Sequence, residues 1–227
     1  MSEEAQPQNT APSFPIVGLG ASAGGLRALE DFFDHLPADS GAAYVVIQHL
    51  SPDFKSLMKE LLKKHTDMSV EQATDGMRLT PDSIFLIPPG QSLRLEKGML
   101  RLTAQDRAAG QPLHFPINLF FQSLAVESKE SAIAIILSGT GSDGTAGVRY
   151  VAEKGGIVMV QDPTTAEFDG MPRSVIATGL TDMILPTNEI AKLTYQFITL
   201  PDERKALQQN ALNPTQLDRI LVILKRY

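Results

Sequence analysis

One serine in this sequence has the neighbours that a catalytic nucleophile needs. Residues 20–24 read Gly-Ala-Ser-Ala-Gly, which is the form G-x-S-x-G, and they follow the apolar run 14–19. In this form a strand-to-helix turn exposes the Ser22 hydroxyl beside backbone N–H groups. The same turn could instead cradle a phosphate at a helix N-terminus, or Ser22 could simply cap that helix.

A serine hydroxyl is a weak nucleophile until a base removes its proton, and the sequence offers His49 as that base. His49 follows the second apolar run, residues 43–47. A carboxylate must then orient the imidazole, and Asp143 lies in the glycine-rich turn after the apolar run 132–137. Taken singly, His49 could be a hydrogen-bonded core residue and Asp143 could cap the helix after Gly144.

An oxyanion site would complete this arrangement, because ester hydrolysis develops negative charge on the carbonyl oxygen. The backbone N–H groups near Ala23 and in the turn 140–142 are the candidates. Together these residues predict an acyl-transfer site.

A nucleotide-binding alternative starts from the same glycines. Residues 18–23 formally match G-x-G-x-x-G/A, which in dinucleotide-binding domains follows a strand and opens a helix. Such a site also needs Asp or Glu at the end of the second strand to bind the ribose. Gln48 and His49 stand there instead, so we expect no organic cofactor. His35, His65 and His114 lack ligand spacing, and we expect no metal.

Apolar runs alternate with helical stripes along most of the chain, which predicts a doubly wound, mostly parallel α/β sheet. Residues 92–103 break the alternation and predict an inserted antiparallel hairpin. We expect strands at 14–19, 43–47, 84–87, 132–137, 157–160 and 182–185. We expect helices at about 26–35, 116–128 and 188–200, a helix that begins at about 53, a helix that follows the turn 138–145 and ends at about 154, and a short helix around 175.

Composition narrows the classes of protein further. The chain has 227 residues, a net charge of −6 and no cysteine. The acidic balance disfavours nucleic-acid binding, and the missing thiols exclude disulfides and thiolate catalysis. No run approaches the ~18 apolar residues of a membrane helix, so we expect a soluble, cytoplasmic protein without membrane insertion.

Four motifs in order resemble the catalytic domain of the chemotaxis protein-glutamate methylesterase family, CheB. They read Gly-Ala-Ser-Ala-Gly-Gly at 20–25, Gln-His-Leu at 48–50, Leu-Ser-Gly-Thr-Gly-Ser-Asp-Gly at 137–144, and Gln-Asp at 161–162 with Gly-Met-Pro-Arg at 170–173. The resemblance implies a Ser22, His49 and Asp143 triad. It also implies hydrolysis of γ-glutamyl methyl esters, and in many members deamidation of glutamine, on chemoreceptor helices.

The resemblance suggests further site residues and two departures. Ala23 stands where the family often has Thr, and Thr140 stands where it has Met. We predict that Ala23, Thr140 and Gly141 serve the oxyanion or substrate. Met171, with Phe168, could line the cleft or simply pack the loop, and Arg173 could contact an acidic receptor surface or form a salt bridge.

The two ends of the chain are expected to lie outside the catalytic domain. We predict a disordered lead-in at 1–13, the catalytic domain at 14–200, and a linker with a helical extension at 201–227. Because about 13 residues precede the predicted catalytic domain, we expect no receiver domain in this chain. Residues 217–227 resemble the opening helix of the chemoreceptor methyltransferase, which implies a fused methyltransferase. The alternative function is a chemoreceptor-binding module with weakened catalysis.

Overall fold

The computed structural model describes residues 12–48, 57–105 and 115–202. Within these ranges strands and helices alternate, as the hydrophobic pattern predicts, apart from a β-rich section in the middle. The strands are Ile16–Ala21 (β1), Ala43–Gln48 (β2), Ser69–Gln72 (β3), Met77–Arg78 (β4), Ser83–Leu86 (β5), Gln91–Glu96 (β6), Met99–Ala104 (β7), Ile133–Ile136 (β8), Ile157–Gln161 (β9) and Met183–Leu185 (β10). The helices are Gly25–Asp34 (α1), Met58–Leu62 (α2), Pro116–Ser128 (α3), Thr145–Glu153 (α4), Gly170–Ile176 (α5) and Thr187–Thr199 (α6), with a 3-10 turn at Lys129–Ser131.

Seven strands form one parallel sheet in the order β10-β9-β8-β1-β2-β5-β3. A separate antiparallel sheet has the order β4-β7-β6, and its β6–β7 pair is the predicted hairpin. The predicted α/β class, a parallel sheet with an antiparallel insertion, is therefore confirmed. The C-terminal helical extension that completed this prediction lies outside the described residues.

Helices cover both faces of the large sheet, because its strands are apolar on both sides. On β2, the side chains of Tyr44 and Val46 enter one core, and those of Val45 and Ile47 enter the other. Apart from the strands of the large sheet, the first core is built from α1, α2 and α6, and the second from α3, α4, α5 and the small sheet. This two-sided burial is what a parallel sheet requires.

Two strands were not predicted. In β3 one side chain, Val70, is buried, and its neighbours are polar, so the segment lacks the apolar run of a central strand. It lies at the sheet edge, where pairing with β5 stabilises it. β4 is two residues long and adds a third strand to the expected hairpin.

The structure describes the later part of the helix predicted from residue 53, and this part is α2. Residues 49–56 lie outside the described residues. The tail helix predicted at 215–227 lies there as well. No helix among the described residues is long and apolar enough to cross a membrane.

Close contact between β1 and α3 sets the position of the site. Both Gly18 and Gly20 face α3, and a Cβ added to Gly20 would lie 2.6 Å from Cγ2 of Ile117. Real side chains never approach that closely, so glycine lets α3 lie directly on the strand backbone. The strand that leads into Ser22 is thereby held against the helix that begins at Pro116.

Candidate active site

The candidate site lies where the chain order of the sheet reverses. From β1 the chain continues to β2 on one side, and β8 pairs with β1 on the other. Ligands of open parallel sheets bind outside the carboxyl ends of the strands at such a switch point. Ser22 follows the end of β1 and the turn with Asp143 follows β8, while His49 comes after β2 in the sequence.

Ser22 leaves β1 in a turn that backbone hydrogen bonds hold on both sides. Its N–H donates to the carbonyl of Ser138 at 3.0 Å, and its carbonyl accepts the N–H of Gly25 at 2.9 Å. Gly24 has φ +69°, and a Cβ there would lie 2.7 Å from Oγ of Ser138. The turn needs glycine for both reasons, and it leaves the Ser22 residue partly exposed.

Two peptide groups near Ser22 point their N–H away from the hydrogen bonds that hold the turns. The carbonyl of Ser22 points to Gly25, so the N–H of Ala23 in the same trans peptide points the opposite way. Likewise the carbonyl of Gly139 accepts the N–H of Met171 at 2.8 Å, which turns the N–H of Thr140 outward. Within the described part of the chain, neither Ala23 nor Thr140 has a hydrogen-bond acceptor for its N–H. Donors of this kind can bind an oxyanion.

Asp143 lies in the same turn as Thr140 and is only 3% exposed. Its carboxylate accepts the N–H groups of Ile117 at 3.0 Å, Asn118 at 3.0 Å and Gly144 at 2.8 Å. Two of these are first-turn N–H groups of α3, whose first residue is Pro116, so Asp143 caps a helix 25 residues earlier in the chain. The alternative interpretation had Asp143 cap the helix that follows it. Instead, two of its three backbone donors belong to α3, which precedes it in the chain.

His49 lies outside the described residues, so its predicted role stays a prediction. The residue before it, Gln48, is paired with Ala21, the residue before Ser22. The Nε2 group of Gln48 lies 3.5 Å from the carbonyl oxygen of Ser22. Neighbouring strands lie about 4.8 Å apart, so the chain leaves β2 next to the Ser22 turn.

A family model described as CheB methylesterase matches residues 17–194. The chain belongs to the CheB methylesterase family. The resemblance drawn from the four motifs is thereby confirmed, whereas the fused methyltransferase remains a prediction.

Known CheB proteins and one solved structure resemble the chain over most of its length. It is 34% identical over 179 residues to a protein-glutamate methylesterase/protein-glutamine glutaminase of Xanthomonas oryzae, covering 78% of this chain and 50% of the relative. The counterpart in Moorella thermoacetica is 31% identical over 191 residues, covering 83% and 45%. The chain thus spans about half the length of these curated relatives.

The crystal structure of the Thermotoga maritima CheB methylesterase catalytic domain aligns with a TM-score of 0.74 at 29% identity, covering 82% of this chain and all of that chain. An uncharacterized 104.1 kDa protein of Rhodobacter capsulatus is 48% identical over 133 residues, which are 59% of this chain and 14% of that protein.

The remaining predicted residues surround the turn after β8. Thr140 and Gly141 are exposed, and the carbonyl of Gly141 accepts the hydroxyl of Ser174 at 3.1 Å. Met171 is fully buried and packs beneath Gly139, a position that suits support of the turn better than contact with substrate. Exposed Arg173 forms an ion pair with Asp169 one helical turn earlier.

Sequence reasoning missed two buried polar residues of this CheB domain, Ser138 and Gln161. The side-chain carbonyl of Gln161 accepts the N–H of Ser138 at 2.9 Å. Ser138 in turn contacts both Ser22 and Ala23. Gln161 belongs to the fourth motif, but the motif alone assigns it no partner.

A cavity of about 700 Å³ opens on the α1 and α6 side of this turn. Its walls include the buried polar residues Ser138 and Gln161. Its other lining residues are Gly24, Arg27, Ala28, Asp31, Thr165, Ala166, Glu167, Pro186, Thr187 and Asn188.

Proposed function

We propose that this chain is the catalytic part of a protein-glutamate methylesterase that acts through Ser22, His49 and Asp143. The carrying observation is the arrangement around Ser22: a partly exposed serine whose turn leaves the N–H of Ala23 without an acceptor among the described residues, held by a backbone bond to the turn that carries Thr140 and the buried Asp143 carboxylate. Membership of the CheB methylesterase family supports the reaction type.

The proposed reaction has two halves. Oγ of Ser22 attacks the ester carbonyl of a methylated glutamate while His49 takes the hydroxyl proton. The tetrahedral oxyanion is held by the N–H groups of Ala23 and Thr140, and its collapse expels methanol, which receives the proton from His49. Water, deprotonated by His49, then attacks the acyl-enzyme and releases glutamate and Ser22. With glutamine as substrate, ammonia would leave in place of methanol.

The two departures from the family pattern fit this mechanism. Both Ala23 and Thr140 contribute a backbone N–H, which every residue except proline possesses. The side chain at either position can therefore change without removing the donor. Gly141, Met171 and Arg173 stay predictions as substrate contacts.

The substrate proposed is a methylated chemoreceptor helix, which the names of the relatives and the family resemblance support. A fused methyltransferase that opens with the helix predicted at 217–227 is proposed on the resemblance alone. A cytoplasmic location is proposed on the resemblance and on the composition of the sequence. The 104.1 kDa relative is consistent with such a fusion, since the matched part is 14% of that protein. The mass of the native gene product and the sequence of its C-terminal peptides would test the fusion.

Methanol release from a methylated receptor tests the proposed activity directly. We expect Ser22→Ala to lower kcat by about 10⁶, as loss of a triad nucleophile does. Ser142→Ala is the matched control, because this exposed serine lies in the neighbouring turn and its hydroxyl has no described partner. A fluorophosphonate should label the wild-type chain at Ser22.

Two results would reject the proposal. Ester turnover that survives in Ser22→Ala would exclude Ser22 as the nucleophile. Receptor binding without methanol release or fluorophosphonate labelling would instead identify a binding module.

A further inference from the structure

Ser138 and Gln161 form a buried polar pair beside the nucleophile turn. Ser138 is 1% exposed and Gln161 is 4% exposed. Buried polar groups are costly unless they are hydrogen-bonded, so a pair kept at the ends of two central strands needs partners on every side. The partners of this pair all lie in or next to the proposed site.

Gln161 extends the hydrogen-bond ladder past the end of the strands. The pairing of β8 with β9 ends at Ile136 and Val160, which leaves the N–H of Ser138 beyond the last paired residues. Oε1 of Gln161 accepts that N–H at 2.9 Å, and Nε2 donates to the carbonyl of Thr165 at 3.2 Å. An amide can do both, whereas an ionised carboxylate only accepts and an apolar side chain does neither.

Ser138 passes this constraint to the nucleophile. Its carbonyl accepts the N–H of Ser22 at 3.0 Å, and its hydroxyl donates to the carbonyl of Ala23 at 2.9 Å. The same hydroxyl accepts the N–H of Phe168 at 3.0 Å. Ser138 therefore holds the peptide group before Ser22 and the peptide group after Ala23.

We propose that Ser138 is a positioning residue for ester hydrolysis and that Gln161 holds it in place. This inference rests on the proposed function. Rotation of the turn 22–24 would move the Ser22 hydroxyl and the Ala23 N–H together, and a misplacement of about 1 Å can cost about 10²-fold in rate. The two residues touch no substrate atom in this scheme and act through the turn.

The test compares Ser138→Ala with a matched serine elsewhere. Ser123→Ala is the control, because the Ser123 hydroxyl also accepts one backbone N–H, from Leu95 at 2.9 Å, and donates to one backbone carbonyl, of Phe120 at 2.8 Å. Both variants lose the same kind of bonds, but only Ser138 contacts the nucleophile turn. Methanol release and the rate of fluorophosphonate labelling are measured for the full chain. Methanol release is expressed per mole of chain that the fluorophosphonate can label.

We expect Ser138→Ala to lower kcat by about 10- to 100-fold with little change in KM, and to slow labelling by a similar factor. Ser123→Ala should keep the wild-type kcat. Gln161→Met, which keeps the length of the side chain but not its amide, should act in the same direction. The factor by which the double variant lowers kcat should be smaller than the product of the two single factors, because both substitutions loosen the same turn.

Three outcomes would overturn the inference. These are equal kcat values for Ser138→Ala and Ser123→Ala, an effect on KM alone, and independent effects of Ser138→Ala and Gln161→Met. If Ser138→Ala does not fold, Gln161→Met decides by the same readouts. An inactive wild-type chain would overturn the proposed function as well, whereas an active wild type with unaffected variants would overturn only this inference.

Discussion

Asp143 shows how one side chain can serve both the helix that it caps and the site. Its three backbone donors hold the carboxylate in one orientation, and two of them belong to the first turn of α3. The proposed role toward His49 would use the same fixed carboxylate. A substitution at Asp143 should therefore change stability and catalysis together.

We predict that Asp143→Asn lowers kcat by up to about 10⁴ and destabilises the fold by about 1–2 kcal/mol. The amide NH₂ would face a backbone donor that the carboxylate now accepts, and it would orient the imidazole wrongly. Methanol release and urea unfolding measure the two effects.

Asp75→Asn is the control for Asp143→Asn. Asp75 also accepts a distant backbone N–H, from Leu102 at 2.9 Å, but it lies in the turn before β4, beside the small sheet. Asp143→Asn with wild-type kcat would remove Asp143 from the mechanism.

At this scale the sequence identified candidates by residue type but not their partners. Ser22 and Asp143 stand in glycine-rich turns that announce a special backbone, and the structure brings those turns to neighbouring strands. Ser138 lies in the same turn as Asp143, and Gln161 lies in the fourth motif, but neither position indicates its partners, because their contacts depend on β8 lying between β1 and β9. That order is a property of the folded sheet rather than of local residue spacing.

At the scale of elements, the contact of α3 with β1 fixes the distance between the two turns of the site. We predict that Gly20→Ala destabilises the fold by about 1–3 kcal/mol, because the new methyl group would overlap Cγ2 of Ile117. Urea unfolding measures the loss. Combining it with Ile117→Ala should cost less than the sum of the two changes. Strict additivity would show that this contact is not the cause.

The loop after β9 gives a prediction about pH. The carboxylate of Asp162 accepts the N–H and the hydroxyl of Thr164, both at 2.8 Å. These bonds, the backbone one first, hold the pKa of Asp162 below its ordinary value. A lowered pKa in the folded state adds stability that is present above the unfolded pKa of about 4 and is lost as pH falls through the folded pKa.

Thr164→Val removes the hydroxyl bond and keeps the backbone bond. We therefore expect its Tm to fall less between about pH 6 and about pH 3 than the wild-type Tm falls. Thr103→Val, at an exposed position in β7, is the control and should leave the slope unchanged. An identical slope in Thr164→Val would contradict this account of the Asp162 pKa.

Hydrophobic periodicity was sufficient to predict the helices and strands that are buried on one or both sides. The bounds of α3 were predicted to the residue, and β1, β2 and β9 to within two residues. The edge strand β3 was missed because one buried side chain, Val70, gives no period. Its strand conformation comes from hydrogen bonds to β5, which lies more than ten residues later in the chain.

At the scale of the whole molecule, the described domain ends with α6. The buried residues of this helix, including Ile190 and Phe197, belong to the core that α1 also lines. We predict that a chain ending after Asp202 unfolds within about 2 °C of the full chain, a difference of less than about 1 kcal/mol. Thermal unfolding of the two chains decides this. A much lower Tm would show that residues 203–227 pack onto the domain, against the predicted boundary.

The overall class could be predicted because alternating runs imply a parallel sheet with two covered faces. The strand order could not, since β1 lies in the middle of the sheet and its neighbours come from both directions in the chain. Which strand ends meet at the switch point is decided by packing across the whole domain. The family motifs supplied that information only indirectly.

The bond from the Ser138 hydroxyl to the carbonyl of Ala23 joins residues 115 positions apart. A growing polypeptide that has passed Ser22 but has not yet made β8 and the loop to Phe168 carries the reactive alcohol without the groups that hold its turn. Loops of this length also close slowly. If the proposed function holds, we expect hydrolytic competence only after most of the domain has left the ribosome, and a chain terminated before β8 should not hydrolyse esters.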